Sequence, residues 1–105
     1  MIAAVLPAKK AGPLFAEKLY LMPCVYILQS ISLKRTYVGS SREDSPLERL
    51  SMHNAGRVRS TKAYKPWIIL YQEYFSGYTE ARKRELFLKT GIGRNWIKEN
   101  ILKGN

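Results

Sequence analysis

Cysteine and histidine each occur once among the 105 residues. Cys24 has no second cysteine to pair with, so no internal disulfide forms, which fits a reducing compartment. One thiol and one imidazole also exclude a conventional structural zinc site. Acidic residues are scarce. Eight Asp and Glu stand against 18 Lys and Arg, for a formal net charge of +10 and a pI near 10.0. Such an imbalance speaks to partners rather than fold, because it concentrates polyanions around the protein. Nucleic acid is the first candidate and an anionic membrane surface the second. No apolar run approaches ~18 residues, so no membrane-spanning helix is expected. Internal repeats and low-complexity tracts are absent as well. These absences lead to the expectation of a cytoplasmic, single-domain protein with one modest core, for which 46% hydrophobic residues suffice.

Residues 1–21 hold two short apolar patches broken by Pro7, Lys9, Lys10, Gly12 and Pro13. A secretory signal carries its positive charge ahead of a continuous apolar stretch, and here the order is reversed. The segment reads as a flexible extension, with residues 22–105 as the working domain and Met22 as a candidate start.

Downstream the pattern turns regular. CVYILQS (24–30) and TYVGS (36–40), joined by the polar Ser32–Arg35, read as an antiparallel hairpin. Ser45-Pro46-Leu47-Glu48 is a capping box with proline at the first helical position, predicting a helix from Pro46 to about Ala55, stopped by Gly56. A basic loop, RVRSTKAYKP, leads to a third strand over Trp67–Phe75, buried at its start and alternating later. Thr79 is placed as the cap of a helix over 80–90 that Gly91 ends, and Arg94–Leu102 reads as a short last helix. The order β-β-α-β-α-α predicts an α+β fold, a small three-stranded antiparallel sheet flanked by helices.

Alternation along the strands puts Tyr26 with Leu28 on one face and Val25 with Ile27 on the other. Tyr37 and Gly39 share a face of the second strand, so the two tyrosines can converge in the hairpin, and Gly39 leaves room for a close approach. Arg49 and His53 lie four apart on the first helix, on the side away from Leu47, Leu50 and Asn54. The first offers planar donors to phosphate and the second moves protons near neutral pH; a solvated polar face also accounts for the pair. Glu85 shares an inward stripe with Ala81 and Leu88, where a carboxylate needs a cation. A hydrated Mg²⁺ meets that need, as does a salt bridge to Arg49 or Arg82. Glu80, in the first turn, is explained by the helix dipole. Arg57, Arg59, Lys62 and Lys65 share a loop with Tyr64 that reads as a surface tracking a phosphate backbone, or as a merely solvated loop.

Taken together, Cys24-Val25-Tyr26, then Tyr37-Val38-Gly39, then Arg49-x-x-x-His53, Ser60-Thr61-Lys62, Pro66-Trp67, Glu80-Ala81-x-x-Arg84-Glu85 and Gly93-Arg94-x-Trp96 resemble the motifs of the GIY-YIG nuclease superfamily. The resemblance is to its small stand-alone bacterial type and to the N-terminal nuclease domain of the excision-repair excinuclease. It covers about Pro23 to Leu102. It implies a metal-dependent endonuclease acting on DNA, with RNA as a further candidate, structure-selective rather than sequence-selective, in DNA repair or processing. It implies Mg²⁺ or Mn²⁺ at Glu85, and catalytic roles for Tyr26, Tyr37, Arg49, His53 and Glu85. Tyr26 is the residue the resemblance assigns to water activation, while His53 is the easier base on solution chemistry; both remain open. Nucleic-acid contacts are implied at Gly39, Ser40, Arg57, Arg59, Lys62 and Lys65. Two positions depart from the pattern: Cys24 replaces the first glycine, and Ser40 stands where excision-repair relatives carry a lysine, making Lys62 a candidate substitute. The competing expectations are a non-catalytic nucleic-acid-binding module and a basic protein-interaction domain.

Overall fold

The computed structural model describes residues 22–102; the extension expected over 1–21 lies outside them. Strand β1 (Cys24–Ser30) is central, with β2 (Thr36–Ser41) and β3 (Trp67–Tyr74) antiparallel on either side. Helix α1 (Pro46–Asn54) follows β2. Helices α2 (Tyr78–Leu88) and α3 (Gly91–Ile97) follow β3, and a π-helical turn at Lys98–Leu102 ends the described chain. The expected α+β architecture is therefore present, with β1 buried because both its edges and both its faces are covered.

The period of two along β1 divides the core. Val25 and Ile27 pack with Val38, Tyr71, Ala81, Leu88 and Ile97 on the face covered by α2 and α3. Cys24, Tyr26, Leu28 and Trp67 pack on the other, with Leu50 of α1 against them. A register shift between Ile27 and Leu28 pairs them with Tyr71 and Ile69, leaving Leu70 as the extra residue of a bulge. The bulge sends Trp67 and Tyr71 to opposite faces. The expectation of a fully buried strand start is also corrected: ahead of the bulge Ile68 already alternates outward and is exposed.

Around α1 the local chemistry behaves as expected. The Ser45 hydroxyl accepts from Glu48 N at 3.2 Å while Glu48 Oε1 accepts from Ser45 N at 2.8 Å. Gly56 takes φ +76° just beyond the helix, a conformation that disfavours a side chain. The inward face differs from expectation. Leu47 is 61% exposed, whereas Pro46 and His53 are buried. On the sheet beneath α1 the Tyr26 hydroxyl is the polar partner that draws in Arg49 and His53.

Two further boundaries shift. Gly77, not Thr79, is the cap of α2. Gly91 begins α3 rather than only ending α2, with Thr90 Oγ1 accepting from Gly93 N at 3.1 Å. A Cβ on Gly93 would lie 1.9 Å from Phe87 O, so this glycine lets α3 press against the end of α2.

Candidate active site

The register puts Tyr26 opposite Gly39 and Leu28 opposite Tyr37, so both tyrosines face α1 as alternation predicted. Their rings lie 6.4 Å apart, and Tyr37 packs 4.9 Å from the His53 ring. From α1, Arg49 Nε donates to the Tyr26 hydroxyl at 3.2 Å. The same hydroxyl lies 3.0 Å from His53 Nε2. On the far side of the ring, His53 Nδ1 is 2.8 Å from Thr61 Oγ1, and that hydroxyl donates to Val58 O at 3.3 Å. Tyr26 and His53 are both 0% exposed. Arg49 and Tyr37 are the members of this group that reach the surface.

Burial sets the proton affinities here. Desolvation drives His53 down to about 4, helped by the Arg49 charge, so the imidazole is neutral near pH 7. Desolvation pushes the Tyr26 phenol up to about 12, although the Arg49 hydrogen bond and charge oppose it. Tyr26 is thus a neutral hydroxyl at rest. Desolvation works against the Arg49 charge, but the hydrogen bond to Tyr26 and the neighbouring groups outweigh it, so the guanidinium stays charged. Cys24 is inert as a nucleophile: burial lifts its thiol to about 11.

Glu85 enters from the other face of the sheet. It is 5% exposed and shares the buried side of α2 with Ala81 and Leu88. Oε1 accepts from Ser40 Oγ at 2.5 Å and from Arg82 Nη1 at 2.7 Å, and Oε2 accepts from Lys89 Nζ at 2.6 Å. Burial would raise its pKa, but the hydrogen bonds from Lys89, Ser40 and Arg82 prevail and lower it. Of the two salt-bridge partners considered for this carboxylate, Arg82 is in place and Arg49 is not, and Lys89 joins as a second.

Two links join the halves across edge strand β2. Gly39, against Tyr26, and Ser40, against Glu85, are consecutive and point to opposite faces. Lys89 Nζ also lies 5.9 Å over the Tyr37 ring. Sequence reasoning assigned no role to Lys89 or Thr61. Lys89 was signalled by its spacing, four residues beyond Glu85 on one helix face. Thr61 stood within a quoted motif with nothing to show what it touches.

Gly39 is filled from within: a Cβ there would sit 2.5 Å from the Tyr26 hydroxyl. Arg57, Arg59, Lys62 and Lys65 are exposed on the loop between α1 and β3, with the Lys62 stem beside Gly56. That loop is anchored. Asn54 Oδ1 accepts from Trp67 N at 2.6 Å, its amide donates to Trp67 O at 3.1 Å, and the Trp67 indole donates to Thr61 O at 3.1 Å. Tyr64 is tied to the hairpin by the Ser30 hydroxyl, which donates to its carbonyl at 2.6 Å, and by Arg35 stacked 4.4 Å over its ring.

A family model described as the GIY-YIG catalytic domain matches residues 22–98. A UPF0213 protein of Staphylococcus haemolyticus (strain JCSC1435) is 44% identical over 43 residues, a match covering 40% of this chain. The matched stretch spans about half of that relative, 52% of its length.

Proposed function

The chain belongs to the GIY-YIG catalytic-domain family, and from that premise we propose that it is a divalent-metal-dependent endonuclease hydrolysing phosphodiester bonds of DNA. The observation that carries this reading is the pairing of a charged, partly exposed arginine and tyrosine with a buried carboxylate across a single edge strand.

The residues fit a hard divalent ion. Among the described residues there is no cluster of three or more His, Cys, Asp or Glu side chains for a metal, so the ion would rest on Glu85, with the Ser40 hydroxyl beside it and water completing its shell. Mg²⁺ accepts such a sparse protein share, and Mn²⁺ can take its place. The cationic groups already seated on Glu85 indicate that this carboxylate is built to meet positive charge. Arg82 and Lys89 are half-exposed and can turn outward when a cation takes their place. When bound, the ion supplies Lewis-acid stabilisation of the phosphate and orients the leaving oxygen.

The remaining work falls to the protein. Arg49 supplies fixed positive charge where negative charge grows on the phosphate, and its Nε bond to Tyr26 aims the guanidinium. Tyr37 borders the same surface and orients the attacking water. Tyr26 and His53 are too deeply buried to meet solvent water in this conformation, so they act beneath Arg49 and Tyr37 as acceptors and orienters of hydrogen bonds. His53 in particular holds a neutral imidazole against Tyr26 rather than facing the substrate.

Exposed Arg57, Arg59, Lys62 and Lys65 extend the site as a surface for phosphates. Phosphate contacts of this kind carry no sequence information, in keeping with structural rather than sequence selectivity and a role in DNA repair or processing. A non-catalytic binding module is the second reading, favoured by the full set of donors already on Glu85. The deciding experiment is cleavage of branched, nicked, single-stranded and duplex DNA, and of RNA, with and without Mg²⁺ or Mn²⁺. Cutting that needs the metal supports the enzyme. Tight binding with no cutting of any substrate supports the module.

A further inference from the structure

The hydrogen bonds beneath Arg49 run in one direction. Thr61 Oγ1 donates to Val58 O. Above it, the Tyr26 oxygen already accepts from Arg49 Nε, so the Tyr26 proton goes to His53 Nε2. Thr61 Oγ1, with its own proton turned to that carbonyl, accepts from His53 Nδ1 2.8 Å away. Nδ1 therefore carries the imidazole proton, and Nε2 presents a lone pair to the Tyr26 hydroxyl 3.0 Å away. Tyr26 donates there and uses its oxygen to accept from Arg49 Nε at 3.2 Å.

The opposite tautomer would break this order. A proton on Nε2 would point at the Tyr26 oxygen, already the target of Arg49. The Tyr26 proton would then have to find another acceptor at a site with 0% exposure, or displace the guanidinium. Thr61 is itself 1% exposed and is held in place through its carbonyl by the Trp67 indole. Its backbone N–H also donates to Val58 O, at 3.2 Å. A hydroxyl held at the bottom of the stack with its proton toward Val58 O thus matches the direction of every bond above it.

We propose that Thr61 is a positioning residue of this site, whose hydroxyl fixes the tautomer of His53 and, through Tyr26, the orientation of Arg49. The catalytic part of this assignment rests on the nuclease reading; the tautomer part stands without it.

His53 is the chain's one histidine, so its ring nitrogens give the imidazole signals of the protein in a long-range ¹H–¹⁵N spectrum. Wild-type protein is expected to show a protonated Nδ1 and a free Nε2 at pH 7. Thr61→Ser retains that pattern. Thr61→Val, which keeps the shape and loses the acceptor, shifts the ring toward protonated Nε2. Metal-dependent single-turnover cleavage should fall by roughly 10–100-fold in Thr61→Val, by analogy with losing the outer hydrogen-bond partner of a metal-bound histidine, and Thr61→Ser should restore it. A wild-type spectrum with protonated Nε2 overturns the proposal even if the valine variant does not fold. So does a folded valine variant with wild-type tautomer and rate, or a serine variant that behaves as valine does. If wild-type protein cut nothing, the nuclease reading would fall, and the spectra alone would decide the role of Thr61.

Discussion

The Tyr26 hydroxyl occupies the space that a side chain on Gly39 would need: a Cβ at position 39 would lie 2.5 Å from that oxygen. The two residues are paired across β1 and β2. The glycine thus lets a tyrosine lie flat over the neighbouring strand and meet Arg49 and His53. Gly39→Ala should displace the Tyr26 hydroxyl, since the methyl would overlap that oxygen and the buried ring has no open space to move into. Cleavage should fall by about 100-fold, as expected for a misplacement near 1 Å in a site, while DNA binding changes little. Equal single-turnover rates in variant and wild type would contradict this.

Glu85→Gln should abolish metal-stimulated cutting and leave DNA binding intact. Direct Mn²⁺ titration followed by electron paramagnetic resonance should show weaker binding in the same variant. Lys89→Met should have the opposite effect on Mn²⁺ affinity, because Lys89 Nζ lies 2.6 Å from the oxygen a cation would take. Unchanged Mn²⁺ affinity in both variants would remove the ion from Glu85.

Arg49→Ala should lower the single-turnover rate by roughly 10²–10³-fold, the usual loss for one preorganised charge-stabilising donor. Affinity for uncut DNA should change much less. A large binding loss with normal cleavage of bound substrate would make Arg49 an anchoring residue only.

Stability should decline on mild acidification through His53. The folded-state value of about 4 lies below the ordinary 6.5, so the unfolded chain takes up the proton more readily. The contribution is complete above pH 6.5 and is lost progressively as pH falls toward 4. Urea midpoints at about pH 7.5, 5.5 and 4.5, which bracket that window, measure it. His53→Gln, which does not titrate, should flatten the slope in that window. Glu85, held below the ordinary carboxylate value, adds its own loss at still lower pH.

Replacing Arg57, Arg59, Lys62 and Lys65 with glutamine should weaken DNA binding across sequences and reduce the salt dependence. The slope of log K against log salt should shrink by about 0.9 for each duplex phosphate contact removed. A slope identical to wild type would make the loop a solvated surface.

Much of the fold was legible because it rests on short-range rules. The capping box at Ser45 and Glu48 needs only residues three apart, and it formed as written. Alternation along β1 correctly divided Val25 and Ile27 from Tyr26 and Leu28. The Ala81, Glu85 and Leu88 stripe is likewise buried. Misreadings came where a neighbour in space overruled local pattern. Leu47 looked like a core residue, but beside Leu50 it is Arg49 and His53 that turn inward, to the Tyr26 hydroxyl on the otherwise apolar face beneath α1. The bulge at Leu70 changed which face Tyr71 serves, and no residue type announced it. Gly91 looked like a stop because glycine ends helices; in place, it begins the next one behind the Thr90 cap.

By itself, the sequence determined the strands, the first helix, the basic charge and the motif order that marks the family, since each depends on residue type and near spacing. Tertiary structure alone decided that His53 is sealed from solvent, that Lys89 and Arg82 share Glu85, and that Thr61 holds the imidazole. Those outcomes depend on which groups lose water together and which donors then lie within reach of one another. Such distances arise only when segments far apart in the chain are packed against the same sheet.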